Sequence, residues 1–284
     1  MSTRPIPAAS VSQWAESQLS AHPTGAVHSV YKNTVNLSCG DALISLLSGG
    51  NRLTHPFSVC AESLDTSTLR VGDPFSYADM LLSVGGSAVS LETAERVNTD
   101  MPPASGPLSG EAFALLQEQA ERFAPNSALG FLILPTLASP LSHWEVEFRR
   151  LAMAVISGND AAAAAVGDRI LGMGWGLTPT ADDFCVGVLA AFFGFRRRPE
   201  RSEPFRELSC TAKARTNQIS YNFLAHACSA RFSRPILYLA EALSRRDEAL
   251  IRQAAEEAAA IGHSSGSDML MGAALATKYE TEGI

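Results

Sequence analysis

The chain has 284 residues, 46% apolar and 18% charged, enough to bury one large core or two moderate ones. A formal net charge of −7 at pH 7 argues against a nucleic-acid or anionic-membrane partner, because either would call for a basic face. The five cysteines include no Cys-x-x-Cys pair and suggest neither a disulfide framework nor a zinc knuckle; with no apolar leader from Met1 to Pro23, the expected location is the cytoplasm.

In chain order, Val11 to Leu19 reads as a short amphipathic helix with Trp14 on its apolar side. From Ala26 the period becomes that of strands: Val27 to Tyr31, Thr34 to Leu37, Ala42 to Leu47, Phe57 to Ala61, Leu69 to Val71 and Val84 to Leu91. Gly40-Asp41, Gly49-Gly50-Asn51 and Gly72-Asp73-Pro74 supply turns between them. Many short strands at close spacing predict a small antiparallel sheet or barrel. Asn98 to Gly110, rich in Pro, Ser and Gly, reads as a linker. The fold class is therefore α+β: a β-rich N-terminal domain over residues 1–105, then a larger α-helical domain over 106–284. In the second, helical spacing covers Glu111 to Phe123, His143 to Ile156, Asp160 to Leu171, Thr178 to Phe195 and Glu207 to Ala230. It continues over Pro235 to Ser244, Asp247 to Ile261 and Ser265 to Lys278, while Gly130 to Leu134 fits a buried strand or a helical turn equally. The run Phe184 to Phe195 falls short of the ~20 apolar residues that span a bilayer. Arg196, Arg197, Arg198 and Arg201 follow it as a solvated helix end. Cys185 and Cys228, inside apolar stretches, read as core thiols.

Two segments stand out. Gly172 to Asp183 reads Gly-Met-Gly-Trp-Gly-Leu-Thr-Pro-Thr-Ala-Asp-Asp, and Gly262 to Asp268 reads Gly-His-Ser-Ser-Gly-Ser-Asp. Overlaying Gly176 on Gly262 also aligns Thr178 with Ser264 and Asp182 with Asp268. Each has a hydroxyl residue where a helix should begin, Thr178 with Pro179 behind it and Ser264, and an acid one turn inside. Gly172, Gly174 and Gly176 let the first loop bring its backbone close to a ligand. Small residues follow both acids (Gly187, Ala190 and Ala191; Gly272, Ala273, Ala274 and Ala276), so the two helix starts can meet in one anion or amide site. There Asp182, Asp183 and Asp268 could orient an amide NH₂ or hold Mg²⁺, and His263 could donate to an anion or move a proton. Thr216 and Ser220 share a helix face, and Asn36 sits in a strand-like segment where a turn or bulge would explain it. No Gly-Lys-Ser/Thr follows the glycines and no clear strand precedes them, which excludes a nucleotide P-loop and disfavours a Rossmann fingerprint.

These motifs resemble the AllH-like family. The likeness rests on Gly172, Gly174, Gly176, Leu177, Thr178, Pro179, Asp182 and Asp183, on Thr216 and Ser220, and on Gly262 to Gly266 with Asp268. Val35-Asn36-Leu37 adds to it, while Trp175 and Ala181 fill variable places. The resemblance implies a subunit of oxamate carbamoyltransferase in anaerobic purine-nitrogen (allantoin) breakdown, acting in a complex with two other subunits. There oxalurate and phosphate exchange with oxamate and carbamoyl phosphate. On that reading Asp182, Asp183, His263 and Asp268 are catalytic candidates. Gly174, Gly176, Thr178, Thr216, Ser220, Ser264, Ser265, Gly266 and Asn36 are substrate-binding candidates, for a small anionic or ureido ligand. The motifs lack the arginine expected of a carbamoyl-phosphate site, so Arg169, Arg215 or a partner must supply it. The alternative is a non-catalytic subunit that binds a small carboxylate or ureido compound, or acts as a scaffold. A metal-dependent hydrolase built on the same acids is a third reading.

Overall fold

Leu-, Val- and Ile-rich segments with exposed polar neighbours, cut by glycine turns, build a closed β-barrel in the first hundred residues. The computed structural model describes residues 5–49, 54–102, 108–194 and 204–282. Its contacts divide into two compact units, Met1–Thr99 and Asp100–Ile284.

The first unit runs β1 (Ile6–Ser12), α1 (Gln13–Ala21), β2 (Thr24–Val30), β3 (Thr34–Cys39), β4 (Ala42–Ser48) and β5 (Ser58–Ala61). It continues with β6 (Pro74–Ala78), β7 (Leu81–Val84), β8 (Ser87–Ser90) and β9 (Glu95–Val97). Eight strands close in the order β1-β5-β4-β3-β2-β6-β7-β8, returning to β1, and β9 pairs farther along β1. The β4–β5, β1–β8 and β1–β9 pairs are parallel and the rest antiparallel, so the barrel is mixed. Alternation is cleanest in β6, where Phe75 and Tyr77 point inward between exposed neighbours. Leu37, Leu46, Val59, Leu82 and Val89 fill the same interior.

Three expectations for this unit are corrected. Val11 belongs to β1, not to the helix, because the chain there pairs with β5 and β9, and Ser12 caps α1 by accepting from the Ala15 N–H. Leu69 to Val71 is not a strand: it forms the turn that delivers the chain to β6. Val84 to Leu91 is not continuous, since Gly85-Gly86 is the tip of the β7–β8 hairpin and Gly85 has φ +54°.

The second unit contains α2 (Gly110–Phe123), α3 (Glu145–Ile156), α4 (Asp160–Ile170), α5 (Thr180–Gly194), α6 (Arg206–Arg215) and α7 (Gln218–Ala227). It ends with α8 (Arg234–Arg245), α9 (Glu248–Ala259) and α10 (Ser265–Glu282). Gly130 to Leu132 is a 3₁₀ turn. The expected helix over Glu207 to Ala230 is two helices: α6 stops at Arg215, Thr216 is extended, and Asn217 caps α7 through Oδ1. The arginines at 196, 197, 198 and 201 lie outside the described residues.

Helix α5 is buried on every side from Thr180 to Phe193, and α10 nearly so from Gly266 to Thr277, as apolar helices at the centre of a unit must be. They run side by side in the same direction, because contacts advance together along both. A side chain on Gly187 would overlap the Met269 carbonyl, and one on Gly272 the Phe184 carbonyl. Glycine at these two places lets the backbones touch. Around the pair, α2 packs on α9 and α10, α6 on α4, and α7 on α5.

Candidate functional site

The loop into α5 is set by its glycines: Gly172, Gly174 and Gly176 have φ of +84°, +108° and +97°, a region that side chains strain to reach. The loop is tied back to the helix it precedes. The Gly172 N–H donates to Asp182 Oδ1 at 2.7 Å and the Ala181 N–H to the Met173 carbonyl at 3.0 Å. Thr216 Oγ1 and Ser220 Oγ donate to Asp182 Oδ2 at 2.5 and 2.6 Å. The two hydroxyls expected on one helix face thus meet on one carboxylate, although Thr216 is not helical. Asn217, absent from the sequence-based candidates, donates through Nδ2 to the Leu177 carbonyl at 2.8 Å and holds the loop from α7. Burial raises the Asp182 carboxyl above its usual range, and its three donors oppose the shift.

Thr178 is not the helix cap. It lies two residues before α5 and donates through Oγ1 to Asp183 Oδ2 at 2.9 Å. The same atom lies 3.0 Å from Ser265 Oγ, which joins the two glycine–hydroxyl–aspartate segments directly. Ser265, the first residue of α10, lies against Asp183 of α5, and Thr180, the first residue of α5, lies against Asp268 of α10, each hydroxyl holding down the other helix's acid. The helix starts therefore exchange hydroxyls crosswise. This pairing corrects the overlay: Asp183, not Asp182, is the counterpart of Asp268, at a separation of 85 residues. The same shift matches Thr180 with Ser265 and Gly187 with Gly272. Asp268 is 1% exposed; Ser127 Oγ donates to its Oδ1 at 2.5 Å, and the Ser264 hydroxyl lies near. Burial lifts Asp268 to about 6 and drives Asp183 well above the carboxylate range, the latter also repelled by Asp268 and Asp182.

This geometry narrows the expected chemistry. The hydroxyl protons point inward onto acids, so an incoming ligand meets oxygen lone pairs and acceptors suited to an NH₂ group. First-turn N–H groups are partly used as well: Asp182 N donates to the Pro179 carbonyl at 2.9 Å and Gly266 N to the Ile261 carbonyl at 3.0 Å. Gly174, Gly176, Gly262 and His263 are exposed at the mouth, with Ser264 and Ser265 half-buried between them and the acids. Gly266 is buried against the Ala258 carbonyl, where a side chain would not fit, which is a packing reason for glycine. Trp175 and Leu177 stand exposed on the loop. Arg215 is committed to Asp168 through two 2.7 Å bonds, and Arg169 to Glu147 at 2.7 Å, so neither guanidinium is turned to the acids. Among the described residues, no group of three or more His, Cys, Asp or Glu is arranged to hold a metal ion. Cys185 and Cys228 are fully buried and burial raises both thiols, as core thiols require. Asn36 belongs to the barrel. It is buried in β3 opposite Ser29, where the β2–β3 register shifts as at the expected bulge, donating to Ser29 Oγ at 2.9 Å and accepting from Ser45 Oγ at 2.6 Å across β2, β3 and β4.

Residues 170–277 match the family described as oxamate carbamoyltransferase subunit AllH, and residues 7–96 match the AllH family N-terminal domain. The chain belongs to the AllH family. No solved structure matches it. Within the AllH match lie both glycine-rich segments, Thr216 and Ser220; the barrel falls in the N-terminal match. Ser127 lies in neither, and no local pattern marks it, because its partner Asp268 is 141 residues away. Thr180 was also missed, but a signal existed: sliding the motifs by 85 rather than 86 residues pairs it with Ser265. Being described as a subunit, AllH implies further carbamoyltransferase subunits. Among the described residues no helix is long and apolar enough to cross a membrane.

Proposed function

We propose that this AllH chain holds the amide or ureido substrate of an oxamate carbamoyltransferase reaction, in cytoplasmic breakdown of allantoin nitrogen, at the paired starts of α5 and α10. Oxalurate and phosphate would exchange with oxamate and carbamoyl phosphate. A phosphate oxygen bonds to the ureido carbon, the bond from that carbon to the oxamate nitrogen breaks, and the proton carried by phosphate ends on that nitrogen. The observation that carries the reading is the meeting of the two helix starts, Thr178 Oγ1 lying 3.0 Å from Ser265 Oγ with the buried carboxyls of Asp182, Asp183 and Asp268 behind them, which offers acceptors to a ligand NH₂. An acid lifted to about 6 is suited to passing a proton near neutral pH, which supports Asp268 in that role, with exposed His263 beside it. Loop glycines and the remaining helix-start N–H groups would hold the ligand carboxylate.

A second reading, a subunit that binds the ligand while a partner performs the transfer, is favoured by the arginines. Arg169 and Arg215 are both engaged in ion pairs, so a phosphate-binding guanidinium would come from another chain. Calorimetric titration of the purified chain with oxamate, oxalurate, carbamoyl phosphate and phosphate tests both. Oxamate and oxalurate are expected to bind, with at least a tenfold loss (about 1.4 kcal/mol) in Asp268→Asn. Transfer by the chain alone supports the first reading, and transfer only with added subunits the second. Binding of none of the four ligands would sink the site.

A further inference from the structure

Asp268 keeps one oxygen back. Its Oδ2 is buried and has no protein hydrogen-bond partner, although Oδ1 of the same carboxyl is held by Ser127. The other two acids differ: Asp182 receives three donors, and Asp183 receives the Thr178 hydroxyl on Oδ2 at 2.9 Å. A buried carboxylate oxygen without a donor costs free energy, so one that persists among Thr180, Ser264 and Asp183 is fit to meet a donor from outside the chain. Ser127 is itself fixed. Its N–H donates to the Ala124 carbonyl at 3.1 Å, closing the 3₁₀ turn Ala124–Asn126, and its Oγ accepts from the Leu129 N–H at 3.0 Å. With the oxygen's acceptor side so used, the hydroxyl proton is directed at Asp268.

We infer that Ser127 is a positioning residue of the site: by taking Oδ1 of Asp268 it presents Oδ2 to accept a hydrogen bond from a primary amide or ureido N–H of the ligand. The inference rests on the reading of the α5–α10 starts as a ligand site. It adds which atom meets the ligand, and it makes Asp182 and Asp183 holders of the loop and of the opposite helix.

Three probes of one shape separate the possibilities: oxamate carries NH₂ where pyruvate carries CH₃ and oxalate a second carboxylate oxygen. In calorimetric titrations of the full chain, wild type should prefer oxamate to pyruvate by about tenfold or more, the scale of one satisfied polar contact. Ser127→Ala should bring that preference within roughly threefold, and Ser127→Thr, which keeps the hydroxyl, should restore it. Asp268→Asn provides a second variant should Ser127→Ala fail to fold. Ser127 would hold the amide oxygen and leave an NH₂ donor in place of Oδ2, so oxalate should then bind better than oxamate. Equal binding of oxamate and pyruvate by wild type overturns the inference and leaves the site standing, as does a Ser127→Ala or Asp268→Asn chain with the wild-type order. Failure of wild type to bind any of the three removes the site and the inference with it.

Discussion

The starts of α5 and α10 are near-copies that do unequal work. Each opens with a hydroxyl residue, Thr180 or Ser265, carries an acid three residues later, Asp183 or Asp268, and has a glycine four residues after that. Each hydroxyl lies against the other helix's acid. Yet α5 adds Asp182, saturated by the Gly172 loop and by α7, where α10 has Ser267, and only Asp268 retains an oxygen without a protein donor. Shared geometry brings the two helices together, and the departures from it set their acids apart.

That comparison can be broken most severely at the glycines. Gly187→Val or Gly272→Val would push α5 and α10 apart at backbone contacts that cannot yield, at a cost of about 3 kcal/mol or more. Thermal melts followed by circular dichroism should show the helical unit melting far below wild type; an unchanged midpoint would mean that the helices are not in backbone contact. Next comes Asp182→Ala, which strands the Gly172 N–H and two hydroxyls and should cost roughly 3 kcal/mol, against about half that for Asp268→Ala. Equal losses in chemical denaturation would refute the unequal division of labour.

The pH dependence is a smaller effect with a defined sign. Burial raises Asp268 from 3.8 to about 6 and Asp183 in the same direction, so the folded state binds more protons than the unfolded one between those values. Stability should therefore fall as pH rises from about 4 through about 6, and Asp183 carries the fall further in the same direction. Asp268→Asn should flatten that slope by on the order of 1 kcal/mol between pH 5 and 7. A variant with the wild-type slope would argue that Asp268 is not held protonated by burial. Smallest is the clasp itself: Thr180→Val and Ser265→Ala should each cost about 1 kcal/mol. In double-mutant cycles, Thr180 should couple to Asp268 and Ser265 to Asp183, while uncoupled pairs would dissolve the crosswise arrangement.

Much of this was legible in the sequence because it is local. The switch from strand to helical period, the glycine–hydroxyl–aspartate grammar and the small residues behind each acid are short-range patterns, and they located α5, α10 and their acids. What escaped was decided at a distance. Strand β1 was missed because Ile6 to Ser12 pairs with segments at 58–61, 87–90 and 95–97, and the Leu69 to Val71 run mimicked a strand while serving as a turn. Thr178 looked like a cap because Thr-Pro opens many helices, but its hydroxyl is drawn to Asp183. The break at Thr216 was hidden by continuous helical composition on both sides; the pull of Asp182 on Thr216 and Ser220 explains it.

The closure of the barrel on β1 also bears on how quickly this unit can form. The unit's first strand has no neighbour nearby in sequence among its partners: it pairs with β5, β8 and β9, the last of which ends at Val97. Hairpins such as β3–β4 and β7–β8 can zip from their turns within microseconds, but the ring waits on contacts that span most of the unit, and loop closure over such spans is slow. Until these partners have formed, the β1 edges are an open template for pairing with another chain.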